Sequence, residues 1–288
     1  MKTWKQAPLS LDIAQWVECY WLLEFAPNDS NRTTPVLLPN PNAHLVITPE
    51  NTIHHYRYNE DNSVSFTGPH ILMPTNRSLT LLDSSNVLRL GVKFRPGAPY
   101  GLWGLDGKQI LNSSFNNLLH LHPQLHTAHL TSMLTFRADP VETAKHLDLL
   151  ISRMMEHARI DHYVQLTQKA LTLIEQQPTT NIELLLGCSR RTLERAFVKV
   201  TGLTIKQYEI MIRLDKLFIF LYQQPNHLLN WAEIAFRFGF SDQPHLIRQL
   251  KKTIGTTPGN YLNTRNLIID IYGDFESPTQ AMNNQSIS

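Results

Sequence analysis

The 288-residue chain is short of several things, and each shortage narrows what it can be. Cysteine occurs twice, at Cys19 and Cys188, too rarely for a disulfide framework and in keeping with a reducing cytoplasm. No run of 18 apolar residues exists, so no transmembrane helix is expected. Two lysines stand between Met1 and Leu11 with no apolar stretch behind them, so a secretory leader is not expected either. There is no nucleophile–base constellation, no Gly-rich phosphate loop and no metal motif of recognised spacing. The expectation is therefore a chain without catalysis and without a cofactor.

Net charge is also small, at +2 from 26 Lys+Arg and 24 Asp+Glu, but it is unevenly spread. Met1 to Ala158 holds 12 basic and 13 acidic residues, a net of −1. Arg159 to Arg265 holds 14 against 8, a net of +6, and Asn266 to Ser288 holds 0 against 3, a net of −3. One domain-sized segment thus carries the basic charge. Release of counterions from nucleic-acid phosphates needs such a concentration, although many solvated surfaces are equally basic.

What is present divides into two textures. Val36-Leu37-Leu38, His44-Leu45-Val46-Ile47, Val64-Ser65-Phe66, Leu79-Thr80-Leu81-Leu82 and Leu88 to Phe94 are short apolar or alternating runs. Clusters of Pro, Gly, Asn and Asp part them, which predicts a barrel or sandwich, with a cupin-like form among the options. Residues 11–23 fit a helix or a strand equally. From about residue 139 the spacing turns helical: Leu147, Leu150, Ile151 and Met154 recur at three and four. Asp139-Pro140 reads as a helix start, and a second helix is predicted over 161–176.

The informative feature is a repeat at an offset of 53. Leu193, Arg195, Phe197, Lys199, Gly202, Thr204 and Tyr208 match Leu246, Arg248, Leu250, Lys252, Gly255, Thr257 and Tyr261, and only the Phe197/Leu250 pair differs. Ser189 falls on Asp242, both good helix caps. Ahead of each cap stands a short helical run ending in a Gly turn, 182–188 and 231–240. Each copy therefore reads as helix, Gly turn, capped basic helix, then a Gly stop and a short helix ending near the Tyr. That is the helix-turn-helix pattern. The second helix of copy one turns Arg190, Arg191, Glu194 and Arg195 outward, and that of copy two turns Gln243, His245, Arg248, Gln249 and Lys252 outward. Arg pairs with guanine, Gln with adenine, and Glu accepts from cytosine, so these types suit base readout. Between the copies, Ile210 to Gln223 makes a helical rod of roughly 21 Å.

Residues 160–265 resemble the DNA-binding domain of AraC/XylS-type bacterial transcription regulators. The likeness rests on Cys188-Ser189-Arg190-Arg191-Thr192-Leu193-Glu194-Arg195-Ala196-Phe197, Arg213-Leu214, Ile234-Ala235, Gly239-Phe240-Ser241-Asp242-Gln243, His245-Leu246-Ile247-Arg248, Lys251-Lys252, Gly255, Thr257-Pro258 and Tyr261. Residues 1–120 resemble an uncharacterised N-terminal domain of some such regulators, through Trp16-Val17-Glu18-Cys19-Tyr20-Trp21 and Gly91 to Ala98. The resemblance implies base contacts for Arg191, Glu194 and Arg195, and for Gln243, His245 and Arg248. It implies phosphate contacts for Lys199, Lys251 and Lys252. Glu183 and Leu217 depart from the small Ala usual there, Leu246 and Leu250 replace aromatics, and Pro244 stands where a polar side chain often meets DNA.

Blander readings compete at several of these residues. Arg190 and Arg191 also suit a solvated surface, Glu194 an ion pair, and His245 a cap or a packing role. His120, His122, His126 and His129 cluster in sequence without a carboxylate or Cys, which makes metal the lesser reading. His44, His54 and His55 could line a barrel pocket, and Cys19, Trp16, Trp21 and Trp103 read as core.

The expectation is a two-domain α+β chain: a β-rich domain over 1–120, a helical connector over 121–160, an all-α double helix-turn-helix domain over 161–265, and a tail over 266–288. It would be a cytoplasmic, nucleoid-associated transcription regulator. Its partners would be double-stranded promoter DNA, RNA polymerase, an unknown small-molecule effector and a second copy of itself, with no membrane. The rival expectations are a regulator without an effector, and a cupin-like enzyme fused to a DNA reader.

Overall fold

The computed structural model describes residues 2–25, 36–59, 62–82, 87–115, 118–176, 181–223 and 229–254. Ten strands come first: β1 (Lys2–Gln6), β2 (Val17–Phe25), β3 (Val36–Leu37), β4 (His44–Ile47), β5 (Ile53–Asn59), β6 (Asn62–Thr67), β7 (His70–Leu72), β8 (Leu79–Leu81), β9 (Val87–Phe94) and β10 (Ser114–Phe115). Two short helices, α1 (Ala98–Trp103) and α2 (Gly107–Ile110), lie between the last two strands. The remainder is helical: α3 (Thr127–Ser132), α4 (Pro140–Met155), α5 (His162–Gln176), α6 (Ile182–Leu185), α7 (Arg190–Thr201), α8 (Ile205–Gln223), α9 (Trp231–Arg237) and α10 (Gln243–Ile254).

The strands form two antiparallel sheets, ordered β1-β2-β9-β4-β7-β10 and β3-β8-β5-β6. Among the described residues the two sheets do not close into a barrel, so the sandwich half of the expectation is what is found. The inner strands of the larger sheet are buried on both faces, while its edge strand β1 is partly exposed. Cys19, Trp21 and Leu23 of β2 point toward the smaller sheet, where they meet Tyr56, Phe66, Leu79 and Leu81. Tyr20 and Leu22, one residue out of phase, join Leu45, Ile47, Leu90, Val92 and Phe94 on the opposite face. That second face is covered by α4, through Ala144, Leu147, Leu150, Ile151 and Met154. Residues 17–23 are thus strand, and their run is unbroken because neither face meets water. Asp139 caps α4 through bonds from the Val141 and Glu142 N–H groups, with Pro140 at the first position.

The C-terminal helices form two smaller cores. Leu171, Ile174, Ile182, Leu193, Phe197, Leu203, Tyr208 and Met211 pack as one. Leu214, Leu217, Phe218, Leu221, Ile234, Ala235, Phe240, Leu246 and Leu250 pack as the other, together with Leu38 from beside β3. The helix α8 serves both cores, its start in the first and its middle in the second. It runs unbroken through Tyr208, which corrects the expected short helix ending there. At 19 residues it spans about 28 Å rather than 21 Å.

The histidines do not gather. His120 ends a short 3-10 helix, buried His122 stands between elements, and His126 caps α3. Among the described residues no three His, Cys, Asp or Glu side chains are placed to hold a metal, and no helix is long and apolar enough to cross a membrane. The motif residues Gly255, Thr257, Pro258 and Tyr261, and the tail over 266–288, lie outside the described residues.

Candidate nucleic-acid interface

In the first unit, α6 ends on Gly187, whose φ of 62° is left-handed, and the Ser189 hydroxyl accepts from the Thr192 N–H to start α7. In the second, α9 ends on Gly239 at φ 69°, and Asp242 Oδ1 accepts from the His245 N–H at 2.6 Å to start α10. The two turns close alike. Cys188 N–H bonds the Glu183 carbonyl at 3.0 Å, and Phe240 N–H bonds the Ala235 carbonyl at 2.8 Å. Up to that point the units superpose at an offset of 52, with Ile182 matching Ile234 and Gly187 matching Gly239. Beyond it the offset is 53, so the second turn holds one residue more.

Each second helix is two-faced. Leu193, Ala196, Phe197 and Val200 are buried in α7, and Leu246 and Leu250 in α10. The opposite face of α7 exposes Arg190, Arg191 and Arg195, with Glu194 half-buried. The opposite face of α10 exposes Gln243, Pro244, Arg248, Lys251 and Lys252, with His245 half-buried. Glu194 has no ion-pair partner among the described residues. Lys199 is set apart from this group: its Nζ lies 4.4 Å above the Tyr163 ring. The structure therefore brings three arginines to the start of α7, and a glutamine, an arginine and two lysines along α10.

How the units are held was not visible in the sequence. Tyr208 donates to Glu175 Oε1 at 2.7 Å, tying α8 to α5, and burial, with the Glu175 carboxylate beside it, pushes its phenol far above the usual range. Tyr100 of α1 donates to Asp161 Oδ2 at 2.7 Å. Burial and that carboxylate push Tyr100 up to about 12. For Asp161 burial acts upward, but the bonds from Tyr100 and the Val164 N–H hold it below the usual carboxylate range. The tightest seam is backbone on backbone: a Cβ at Gly107 would fall 2.1 Å from the Gly202 nitrogen. Arg213 of α8 donates to the Gly239 carbonyl at 2.6 Å. It stood in the sequence as a motif residue without a role.

Between the sheets a cavity of about 20 Å³, room for about one water, is lined by Leu37, Leu38, Asn40, His44, Tyr58 and Leu72, among others. Of the three strand histidines, His44 lines it, buried His54 stands 3.1 Å from Arg89 Nη2, and exposed His55 meets Ser65 Oγ at 2.6 Å. They do not form one pocket.

Residues 185–264 match the family described as a helix-turn-helix domain, and residues 6–116 match a domain of unknown function, DUF6597. The C-terminal domain is AraC-type. Among solved structures, the chain is similar to ToxT from Vibrio cholerae O395, at 14% identity over 91% of this chain and 95% of that one, with a TM-score of 0.44. It is similar to the C-terminal domain of AraT, a response regulator from Geobacillus stearothermophilus, at 24% identity over 40% of this chain and 97% of that one, with a TM-score of 0.33. It is also similar to the AraC-like transcriptional activator CuxR, at 12% identity over 75% and 86% of the two chains, with a TM-score of 0.27. No curated protein matches the chain. The helix-turn-helix match over residues 185–264 supports a DNA-binding transcription regulator.

Proposed function

We propose that this regulator reads DNA with α7 and α10 in two successive major grooves, without dimerising to do so. The observation that carries the reading is the pair of capped helices, each with a buried apolar face and an opposite polar face, exposing Arg in α7 and Gln, Arg and Lys in α10. Base contacts fall to Arg190, Arg191, Glu194 and Arg195 in the first unit and to Gln243, His245 and Arg248 in the second. Lys251 and Lys252 contact phosphate. Lys199 does so from its seat on Tyr163. A span of about 28 Å for α8 suits two grooves one helical turn, about 34 Å, apart.

We assign residues 1–120 to sensing or dimerisation, 121–160 to the connector and 161–265 to DNA. ToxT is bound to an unsaturated fatty acid in one structure and to a methylnaphthalenyl butenoic acid in another. For this chain an effector of unspecified chemistry would have to open the cavity beside Leu38. Since Leu38 also belongs to the second unit's core, the effector would act on that unit first. Recruitment or exclusion of RNA polymerase, and pairing with a second copy, complete the proposal; no step needs catalysis.

The test is selection of sheared genomic DNA on the purified protein at near-physiological salt. Enrichment of a two-part motif supports the reading; retention without enrichment contradicts it. On the selected site Arg248→Ala should cost about 1–3 kcal/mol and relax preference at one position. Lys252→Ala should instead weaken all sequences alike and lower the salt slope by about one.

A further inference from the structure

The additional residue in the second turn gives that unit a device the first does not have. From Gly239 the chain takes three steps to its cap, through Phe240 and Ser241 to Asp242, where the first unit takes two. Phe240 is buried, and its ring meets the His245 ring edge-on at 5.6 Å and 81°. The Arg213 guanidinium lies 5.5 Å from the Phe240 centroid while its Nη1 donates to the Gly239 carbonyl. The phenyl ring is thus held between α8 and the imidazole. On its other side, His245 Nδ1 stands 3.4 Å from the Ser241 nitrogen and 3.1 Å from Ser241 Oγ. A backbone N–H can only donate. Nδ1 must therefore accept, and the proton of the neutral imidazole sits on Nε2. Among the described residues nothing takes up that Nε2–H.

We infer that His245 is a specificity-determining residue that reads guanine through its Nε2–H, and that Arg213 is the positioning residue that fixes it by way of Phe240. This rests on the DNA-binding reading above. In the major groove guanine offers two neighbouring acceptors, N7 and O6, whereas cytosine offers the N4 donor. A donor fixed on Nε2 gains a bond from guanine and meets another donor on cytosine. An imidazole free to exchange tautomers would bond to either and discriminate little. The turn's Ser241 sets the tautomer, Phe240 sets the ring plane, and Arg213 holds Phe240.

The experiment is selection from duplexes randomised over the second half-site, using the full chain and the variants His245→Ala, Arg213→Met, Arg213→Lys and His245→Ala/Arg213→Met, with a melting curve for each. Wild type should prefer guanine over cytosine about five-fold or more at one position, the size of one neutral hydrogen bond. His245→Ala and Arg213→Met should each lose preference at that position alone, and the double variant should lose no more than either. Arg213→Lys, which keeps a donor for the Gly239 carbonyl, should recover part of it. Cytosine preferred at that position would overturn the tautomer assignment, and adenine or thymine preferred there, each of which also offers an acceptor, would overturn the assignment to guanine. Loss at every position of the half-site together with a lowered Tm in Arg213→Met would show that Arg213 only supports the fold. Absence of any preference in wild type would overturn the DNA-binding reading itself, before any variant is compared.

Discussion

The first helix-turn-helix unit meets the N-terminal domain backbone to backbone, at Gly107 and Gly202, whereas the second meets it through side chains, with Leu38 in its core and the Ser78 hydroxyl on the Thr253 carbonyl. Val200 of α7 even belongs to the core that covers the larger sheet. Among the described side chains, none of α9 or α10 does. A backbone seam has no rotamers with which to absorb a shift, while a side-chain contact does. The two units thus share a fold and an exposed polar face on the second helix but not a mounting. Unit one should move with the N-terminal domain, and unit two should answer chiefly to α8 and to its own core.

The largest expected effect separates the units by local stability. Leu250→Ala empties part of the second core and should cost about 2–5 kcal/mol there. Hydrogen exchange should then quicken in α9 and α10 while the sheets and α7 keep their protection. Equal loss of protection in α7 would show that the units are not independent.

A smaller effect tests the seam. Gly107→Ala places a Cβ 2.1 Å from the Gly202 nitrogen, and the neighbour is backbone, so it cannot turn aside. A cost of about 1–3 kcal/mol is expected, read as a lower Tm with faster exchange in α2 and the end of α7 together. An unchanged Tm would mean that the seam has slack and that the contrast between the mountings is wrong.

The smallest effect is graded with pH and belongs to the N-terminal domain. His44 is buried, and burial, with Lys93 nearby, holds its pKa well below the usual 6.5. Above pH 6.5 the folded and unfolded chains both keep it neutral, and its contribution to stability is complete. Below that value the unfolded chain takes up a proton that the folded chain refuses. Stability should fall by up to about 1.4 kcal/mol per pH unit until the folded pKa is reached. His44→Gln should flatten that slope in the sheets; a slope left intact would assign it to other groups.

The helix-turn-helix units were legible because their signals are local. Ser189, Asp242, Gly187 and Gly239 each act on backbone within a few residues, and each does in the structure what its type predicts. The strands were less legible where burial hides alternation. β2 is covered on both faces, so residues 17–23 show no period of two. β5 alternates well, but its inward residues are His54 and Tyr56, which do not look like core in a sequence. The parts that position the site were least legible, because they are contacts across the fold. Nothing near residue 213 indicates that Arg213 reaches the Gly239 carbonyl, and the offset of 53 conceals the residue inserted at the second turn.

On the reading proposed above, one chain engages two half-sites with two differently mounted helices. Hydroxyl-radical footprinting of the full chain on its selected site tests it most directly. Two protected stretches about 10 base pairs apart on one face of the duplex are expected, with only the second lost in Leu250→Ala. A single protected stretch in the wild-type chain, or two that vanish together in Leu250→Ala, would contradict it.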